Sequence, residues 1–177
     1  ATRNPDRGQS FAREHGAGWH ADYRELLARP DVDVVAIASP HNLHLPMTED
    51  AAAAGKHVLC EKPMACTVAE CDAMIAACER AGVLLGVTFQ GRFEPLAAKL
   101  KALLDGGRLG RLLWASSNTV WYRDDAYYRS KPWRGTWAEE GGGVLINQAI
   151  HAIDLFVWAA GMPQQITAQA RTLNHQI

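Results

Sequence analysis

VDVVAIAS, residues Val32–Ser39, is the stretch that decides the fold class. It is a continuous run of β-branched and small apolar residues, typical of a strand buried on both faces of a parallel sheet. Two similar runs follow, KHVLC at Lys56–Cys60 and VLLGVTF at Val83–Phe89. Helices are predicted between these strands, over residues 45–54 and 68–81. This alternation predicts an α/β fold with a doubly wound parallel sheet.

Helical patterns also flank this region. Pro5–His15 and Asp22–Ala28 precede the first strand and stop at Gly16 and Pro30. Beyond Arg92 the character changes, so we place a domain boundary there, between residues 1–91 and 92–177. The second part is predicted to contain a helix over 95–104, a strand over 112–121, a long aromatic and charged loop over 122–143, and a helix over 144–160.

The composition argues against several function classes. Eighteen basic and nineteen acidic residues give a net charge of −1, so no nucleic-acid partner is expected. The polar start and the absence of a long apolar run predict no membrane segment and a cytoplasmic protein. The spacing of Cys60, Cys66, Cys71 and Cys78 matches no zinc pattern, so we expect no metal and interpret these residues as reduced, mostly structural thiols.

Three segments follow the predicted strands directly. They are Ser39-Pro40-His41, Glu61-Lys62-Pro63 and Gln90-Gly91-Arg92. Ligands of doubly wound sheets bind beyond the carboxyl ends of the strands. We therefore expect these segments to converge on one crevice.

The last predicted helix contains a line of polar residues. VLINQAIHAIDLFVWAA, residues 144–160, is apolar on nearly every face, which predicts a helix buried all round. Asn147, His151 and Asp154 fall at i, i+4 and i+7 on one side, beside Gln148. A buried unpaired polar group costs roughly 1–3 kcal/mol, so the line should face polar partners or a wet cleft. Alternatively, His151 and Asp154 satisfy each other inside the core.

Several motifs together resemble the Gfo/Idh/MocA oxidoreductase family. Glu61-Lys62-Pro63 follows GKHV at residues 55–58, and the glycine run at 141–143 is followed eight residues later by His151 and then Asp154. Further agreement lies in SPHNLH at 39–44, RFEP at 92–95, GRLG at 107–110 and WRG at 133–135. The order and spacing of these motifs are more specific than any one of them.

The resemblance implies a Rossmann-like dinucleotide-binding domain followed by an α/β domain. The second domain would contain a large open, mostly antiparallel sheet that binds substrate and forms a homo-oligomer, a dimer or tetramer. The sequence contains no G-x-G-x-x-G phosphate turn. We therefore expect the chain to be a piece of a longer protein in which both domains are incomplete.

The resemblance also implies catalytic and substrate-binding roles. Lys62 would hydrogen-bond the reacting hydroxyl, and His151 would take its proton as hydride moves to the nicotinamide, with Asp154 on the far side of the imidazole. Lys62 and His151 would face each other across the cleft between the domains. Asn147 stands where many members have aspartate, and since an amide cannot relay a proton we expect it to bind substrate or orient His151. Arg92 and Gln148 are further candidate substrate-binding residues.

The cofactor would be NAD or NADP. By resemblance, Ser39, Pro40, His41 and His44 line its adenosine and pyrophosphate side, Glu61 and Lys62 lie near the nicotinamide ribose, and Gln90, Trp133 and Arg134 make further contacts. Thr2, Arg3 and Arg7, without an acidic residue at the strand end, predict some preference for NADP. The resemblance also predicts a cis Lys62–Pro63 bond. A metal pair at His41 and His44 is a weaker alternative, because further ligands at suitable spacing are missing.

The predicted function is reversible oxidation of a secondary alcohol on a small-molecule sugar, nucleotide sugar or inositol. The motifs provide a base and hydrogen-bonding groups without a metal or a nucleophile. Two alternatives remain open: a non-catalytic NAD(P)-sensing or regulatory protein on the same fold, and an NAD-dependent glycosidase.

Overall fold

The computed structural model describes residues 1–172 and 175. They divide into two compact units. The first contains residues 1–39, 43–61 and 68–86. The second contains residues 40–42, 62–67 and the described residues from 87 onward. Residues 40–41 and 62–63, from the segments that follow the first two strands, thus belong to the same unit as residues 90–92, whereas Ser39 and Glu61 belong to the first unit.

A three-stranded sheet forms the centre of the first unit. Its strands are β1 (Val34–Ile37), β2 (His57–Cys60) and β3 (Leu85–Val87), in the order β1-β2-β3. β1 and β2 are parallel and in register from Val34 opposite His57 to Ile37 opposite Cys60. Parallel neighbours require a crossover connection, and the helices between the strands provide it.

Four helices accompany this sheet, as predicted from the sequence. They are α1 (Pro5–His15), α2 (Tyr23–Leu27), α3 (His44–Ala53) and α4 (Val68–Ala81). α1 begins with a cap in which Asn4 accepts a hydrogen bond from the Arg7 amide, and it ends at Gly16, whose φ of 61° is left-handed. α3 packs against β1 and β2, and α4 packs against α3. Val58, Cys60 and Met74 lie in the resulting core.

The prediction that the strands are buried on both faces is wrong for the described part of the chain. Burial alternates along β1 and β2, and Val34 and Leu59 are 57% and 45% exposed. The cause is that α3 covers one face of these strands, while no described element covers the other. Along α4, Met74 and Cys78 are buried, Cys71 is half-buried, and Val68 and Ile75 are exposed.

The second unit is mainly helical. Its helices are α5 (Pro95–Asp105), α6 (Asp125–Arg129), α7 (Val144–Asn147) and α8 (Ile150–Ala160). α5 packs against α8 and against a 3₁₀ turn at Gln90–Phe93. Gly91 in that turn lies so close to α8 that a Cβ there would be 3.2 Å from Leu155 Cδ1.

Two predictions for this unit are wrong. Residues 112–121 form no strand, because a strand needs a hydrogen-bonded neighbour and this segment has none among the described residues; Leu113 and Trp114 are both 79% exposed. The helix predicted over 144–160 is divided into α7 and α8. The Ala149 amide donates to the Val144 carbonyl over 2.8 Å, an i to i+5 bond of the π type that separates the two helices.

The same helix was predicted to be buried all round, and it is not. No residue of α7 or α8 is fully buried, and Leu145 and Ile153 are 59% and 45% exposed. Within the described residues, α5 and the 3₁₀ turn cover only part of the apolar surface of α8. None of the helices in the described part of the chain is both long enough and apolar enough to cross a bilayer.

Candidate active site

Lys62 lies directly after β2 and is bound to the end of α7. Its Nζ donates to the Asn147 backbone carbonyl over 2.8 Å and to Asn147 Oδ1 over 3.1 Å. The last carbonyls of a helix have no partner within the helix and form the negative end of its dipole, so they attract an ammonium group. The predicted cis Lys62–Pro63 bond is confirmed. The structure therefore brings together two of the predicted site residues, Lys62 and Asn147.

A buried carboxylate lies behind Asn147. Glu140 is 2% exposed, and its Oε1 accepts a hydrogen bond from Asn147 Nδ2. Its other oxygen, Oε2, accepts from the Gly135 backbone amide. The result is a continuous chain of hydrogen bonds from Lys62 through Asn147 to Glu140. Glu140 is not among the site residues predicted from the sequence, although its position immediately before the glycine run is a usable signal.

The glycine run allows the segment after Lys62 to approach. Gly141 has a φ of 84°, and a Cβ built on it would lie 2.9 Å from the Cβ of Cys66. The Asn42 amide donates to the Glu139 carbonyl over 3.2 Å, and Cys66 Sγ lies 3.9 Å from that same carbonyl. The glycine at position 141 therefore leaves room for Cys66 near the start of α7.

Two histidines predicted to contact the cofactor are buried, each with a ring nitrogen close to a backbone carbonyl oxygen. His41 is 6% exposed, and its Nδ1 lies 2.7 Å from the Glu140 carbonyl oxygen. His44 is fully buried, with Nε2 3.0 Å from the Ser39 carbonyl oxygen. His41 thus connects its segment to Glu140, and His44 connects the start of α3 to the segment after β1. Among the described residues no group of three potential ligands could hold a metal ion.

Arg92 and Asp154 form a close ion pair. Arg92 Nε and Nη2 bind the two carboxylate oxygens of Asp154 at 2.9 and 2.5 Å. The Asp154 side chain is only 8% exposed, while that of Arg92 is 40% exposed. The hydrogen bond to Asp154 raises the pKa of Arg92 above its ordinary value. Arg92 is predicted to bind substrate, and it binds Asp154, the residue predicted to lie on the far side of the His151 imidazole.

The loop residues form an aromatic and cationic cluster. The guanidinium of Arg134 lies 4.1 Å from the centre of the Tyr127 ring and donates to Ser130 Oγ over 3.0 Å. The Trp133 ring lies 5.5 Å from that of His41. Gln148 is 6% exposed and donates to Tyr127 Oη over 3.3 Å. The Gln148 amide therefore supports the loop through Tyr127.

The other predicted site residues are spread over both units. Arg3 and Arg7 are exposed near the start of α1, and the Thr2 amide donates to the His20 carbonyl over 3.1 Å. Gln90 is exposed in the 3₁₀ turn. His151 is half-buried in the first turn of α8, in the same unit as Lys62. Pro40, also half-buried, lies in that unit too.

The sheet edge of the first unit fits part of a dinucleotide. The Glu61 amide donates to the Ile37 carbonyl over 2.9 Å, so the carboxyl ends of β1 and β2 lie side by side. Ser39 and Glu61 follow these ends and are half-exposed. A hydroxyl and a carboxylate there suit the hydroxyls of a ribose. Residues 1–177 contain no glycine-rich turn of the kind that binds a pyrophosphate.

Comparison with known proteins agrees with this geometry. The family model described as "Oxidoreductase family, NAD-binding Rossmann fold" matches residues 1–89, and the GFO/IDH/MocA C-terminal domain matches residues 97–177. The chain is 40% identical over 139 residues to 1-carboxy-3-chloro-3,4-dihydroxycyclohexa-1,5-diene dehydrogenase of Comamonas testosteroni, covering 78% of this chain and 34% of that protein. It is 33% identical to levoglucosan dehydrogenase of Pseudarthrobacter phenanthrenivorans, covering 97% of this chain and 44% of that protein.

A solved structure shows the same relationship. The WlbA dehydrogenase from Bordetella pertussis, in complex with NADH and UDP-GlcNAcA, superposes with a TM-score of 0.85 at 35% identity, covering 90% of this chain and 48% of that one. The chain thus spans less than half the length of each of these three proteins. Its first part has the NAD-binding Rossmann fold with a parallel sheet. The chain belongs to the GFO/IDH/MocA oxidoreductase family.

Proposed function

We propose that the full-length protein is an NAD(P)-dependent dehydrogenase that oxidises a secondary alcohol of a sugar, nucleotide sugar or inositol, reversibly. The observation that supports this best is the position of Lys62, whose ammonium group is fixed by two oxygens of Asn147 at 2.8 and 3.1 Å. A fixed cation beside a substrate hydroxyl favours the developing alkoxide. The relatives are consistent with this substrate range, since one acts on levoglucosan and another was solved with a nucleotide sugar.

In the proposed mechanism, Lys62 and His151 share the substrate hydroxyl. The nicotinamide, when bound, accepts the hydride. His151 removes the hydroxyl proton, because an imidazole with an ordinary pKa of about 6.5 is suited to general-base catalysis near neutral pH. Lys62 stabilises the negative charge that develops on the oxygen. Ser39 and Glu61 would hold the ribose of the cofactor.

Arg92 and Asp154 act together in this proposal. Asp154 lies one turn after His151 in α8, and its carboxylate is fixed by Arg92 at 2.9 and 2.5 Å. A carboxylate fixed in this way could orient the imidazole without moving. Arg92 then acts through Asp154 as a positioning residue, and Asn147 and Gln148 are left as the polar groups beside the substrate.

The remaining predictions concern the whole protein. We propose that the second domain of the full-length protein contains an open, mostly antiparallel sheet, and that this sheet forms a homo-oligomer contact. The domain boundary proposed near Arg92 falls between the two family matches, which end at residue 89 and begin at residue 97. A preference for NADP, suggested by Arg3 and Arg7, and a cytoplasmic location stay predictions.

The test is a substrate panel with the full-length protein. NAD and NADP are each combined with sugars, anhydrosugars, inositols and nucleotide sugars while reduced-nicotinamide absorbance is recorded. The proposal predicts cofactor reduction with at least one of these alcohols. Tight cofactor binding without reduction across the whole panel, in both directions of reaction, would instead indicate a sensing or regulatory protein.

A further inference from the structure

We infer that Glu140 is a positioning residue, which fixes the orientation of the Asn147 side-chain amide and thereby the place of the Lys62 ammonium group. The kinetic consequence of this inference rests on the proposed function. The structural part rests only on contacts within the second unit.

The two oxygens of Glu140 each face a group that can only donate. Asn147 Nδ2 donates to Oε1, and the Gly135 backbone amide donates to Oε2. An ionised carboxylate is acceptor-only, so it satisfies both donors at once. Glu140 is 2% exposed, and its backbone N–H donates to the Thr136 carbonyl over 3.1 Å. The carboxylate is thus held in place by its local backbone.

The carboxylate determines which way the amide points. Because Nδ2 of Asn147 must face Glu140, Oδ1 must face away from it, toward Lys62. An ammonium group can only donate, and it meets Oδ1 at 3.1 Å. A reversed amide would place its NH₂ group against the ammonium group and its oxygen against the carboxylate. Glu140 therefore acts on Lys62 through one intervening amide.

A single substitution at Glu140 or at Asn147 should break this chain of hydrogen bonds, and the two substitutions do so for opposite reasons. Glu140→Gln puts one acceptor and one donor where two acceptors are needed, so the new side chain cannot accept from both the Gly135 amide and Asn147 Nδ2. Asn147→Asp places two carboxylates in contact, which like-charge repulsion disfavours. Together, however, the two changes restore every pairing. The new glutamine would accept from the Gly135 amide and donate to the new aspartate, which would in turn accept from Lys62.

The experiment is a double-mutant cycle in the full-length protein. Wild type, E140Q, N147D and E140Q/N147D are compared for kcat, KM, NADH affinity by fluorescence, and Tm. E139Q is the matched control, because Glu139 is the adjacent residue but its side chain is exposed. We expect each single variant to lower kcat roughly 10- to 100-fold, the range for one lost hydrogen bond to a charged group. NADH affinity should be nearly unchanged in every variant, and E139Q should behave as wild type.

Recovery in the double variant distinguishes positioning from simple packing. We expect its kcat to return to within about threefold of wild type, and its loss of Tm to be smaller than the sum of the two single losses. A double variant no better than the single variants, or an E140Q enzyme with normal kcat, would overturn the inference. If the single variants fail to fold, a double variant that also fails to fold contradicts it. Should wild type oxidise no alcohol, the proposed function fails, and the Tm cycle still decides the role of Glu140.

Discussion

Arg92 holds Asp154 by both carboxylate oxygens, at 2.9 and 2.5 Å, and connects the 3₁₀ turn after β3 to the middle of α8. The Arg92 guanidinium also lies 5.7 Å from the Phe89 ring and 5.8 Å from the Trp158 ring. A planar group that binds a carboxylate through two parallel hydrogen bonds fixes its orientation as well as its charge. This pair therefore stabilises the element on which His151 lies.

Arg92→Ala should lower the free energy of unfolding by about 2–3 kcal/mol. The Asp154 side chain is 8% exposed, so removal of the Arg92 guanidinium leaves a nearly buried negative charge. Because Arg92 itself is half-exposed, the loss of unfolding free energy should be smaller than for a fully buried ion pair. Denaturant unfolding measures the change. The control is Arg129→Ala, since Arg129 and Asp125 are 77% and 62% exposed and loss of an exposed ion pair should change the free energy of unfolding much less. Equal losses in the two variants would contradict this account.

Gly141→Ala should disrupt the site more than a surface substitution would. The residue has a φ of 84°, which L-amino acids rarely adopt, and the new Cβ would lie 2.9 Å from Cys66 Cβ. We expect a loss of at least about 2 kcal/mol in unfolding free energy. Gly143→Ala is the matched control, because Gly143 has a φ of −104° and open space around a Cβ. If Gly143→Ala lowers Tm more than Gly141→Ala does, the close approach of Cys66 to Gly141 does not limit stability.

Cys60 should resist alkylation. It is fully buried next to Glu61, and burial, followed by the charge of Glu61, raises the pKa of its thiol from 9.0 to about 12. At pH 8 its thiolate fraction is then about a thousandfold below that of an ordinary thiol. Iodoacetamide labelling with peptide mass spectrometry should leave Cys60 unmodified in the folded protein and modify it in urea. Rapid labelling of Cys60 in the folded protein would contradict the burial of this thiol.

The same shift predicts a dependence of stability on alkaline pH. In the unfolded chain the thiol ionises near its ordinary pKa of 9.0, while in the folded chain it keeps its proton until about pH 12. The neutral thiol's contribution to stability is therefore complete below about pH 9 and is lost as the pH rises toward about 12. Cys60→Ala, which has no thiol to ionise, should show a smaller loss of unfolding free energy across this window. An identical pH dependence in the two proteins would contradict the assignment.

Local patterns were sufficient to predict the helices and strands of the first unit, but not the burial of its strands. α1, α3 and the alternation of strands follow from caps, glycine stops and short β-branched runs, which act within a few residues. The strand predicted over 112–121 fails because a strand depends on a partner elsewhere in the chain. The continuous helix over 144–160 fails because one i to i+5 bond at Ala149 has no signature in the apolar pattern.

The candidate site shows the same division. Lys62, Asn147, Arg92 and Asp154 could be named from spacing and motif, whereas their pairing could not. Lys62 is separated from Asn147 by 85 positions, and Arg92 from Asp154 by 62, so neither contact appears in any local pattern. His44 has a contact that its motif does not predict, since its imidazole is fully buried with Nε2 3.0 Å from the Ser39 carbonyl oxygen. Donor and acceptor pairing becomes visible only in three dimensions.

The most direct test of the central claim is the turnover of Lys62→Met and His151→Ala in the full-length protein, measured beside NADH affinity with the alcohol found in the substrate panel. Loss of a positioned general base removes roughly 10²–10⁴ in rate, so His151→Ala should lower kcat by that order. Lys62→Met should lower kcat at least as much, because it also leaves both Asn147 oxygens without their cation. His151→Ala should bind NADH almost as wild type does. Near-normal kcat at pH 7 in either variant would contradict the assignment of Lys62 and His151 as the catalytic pair.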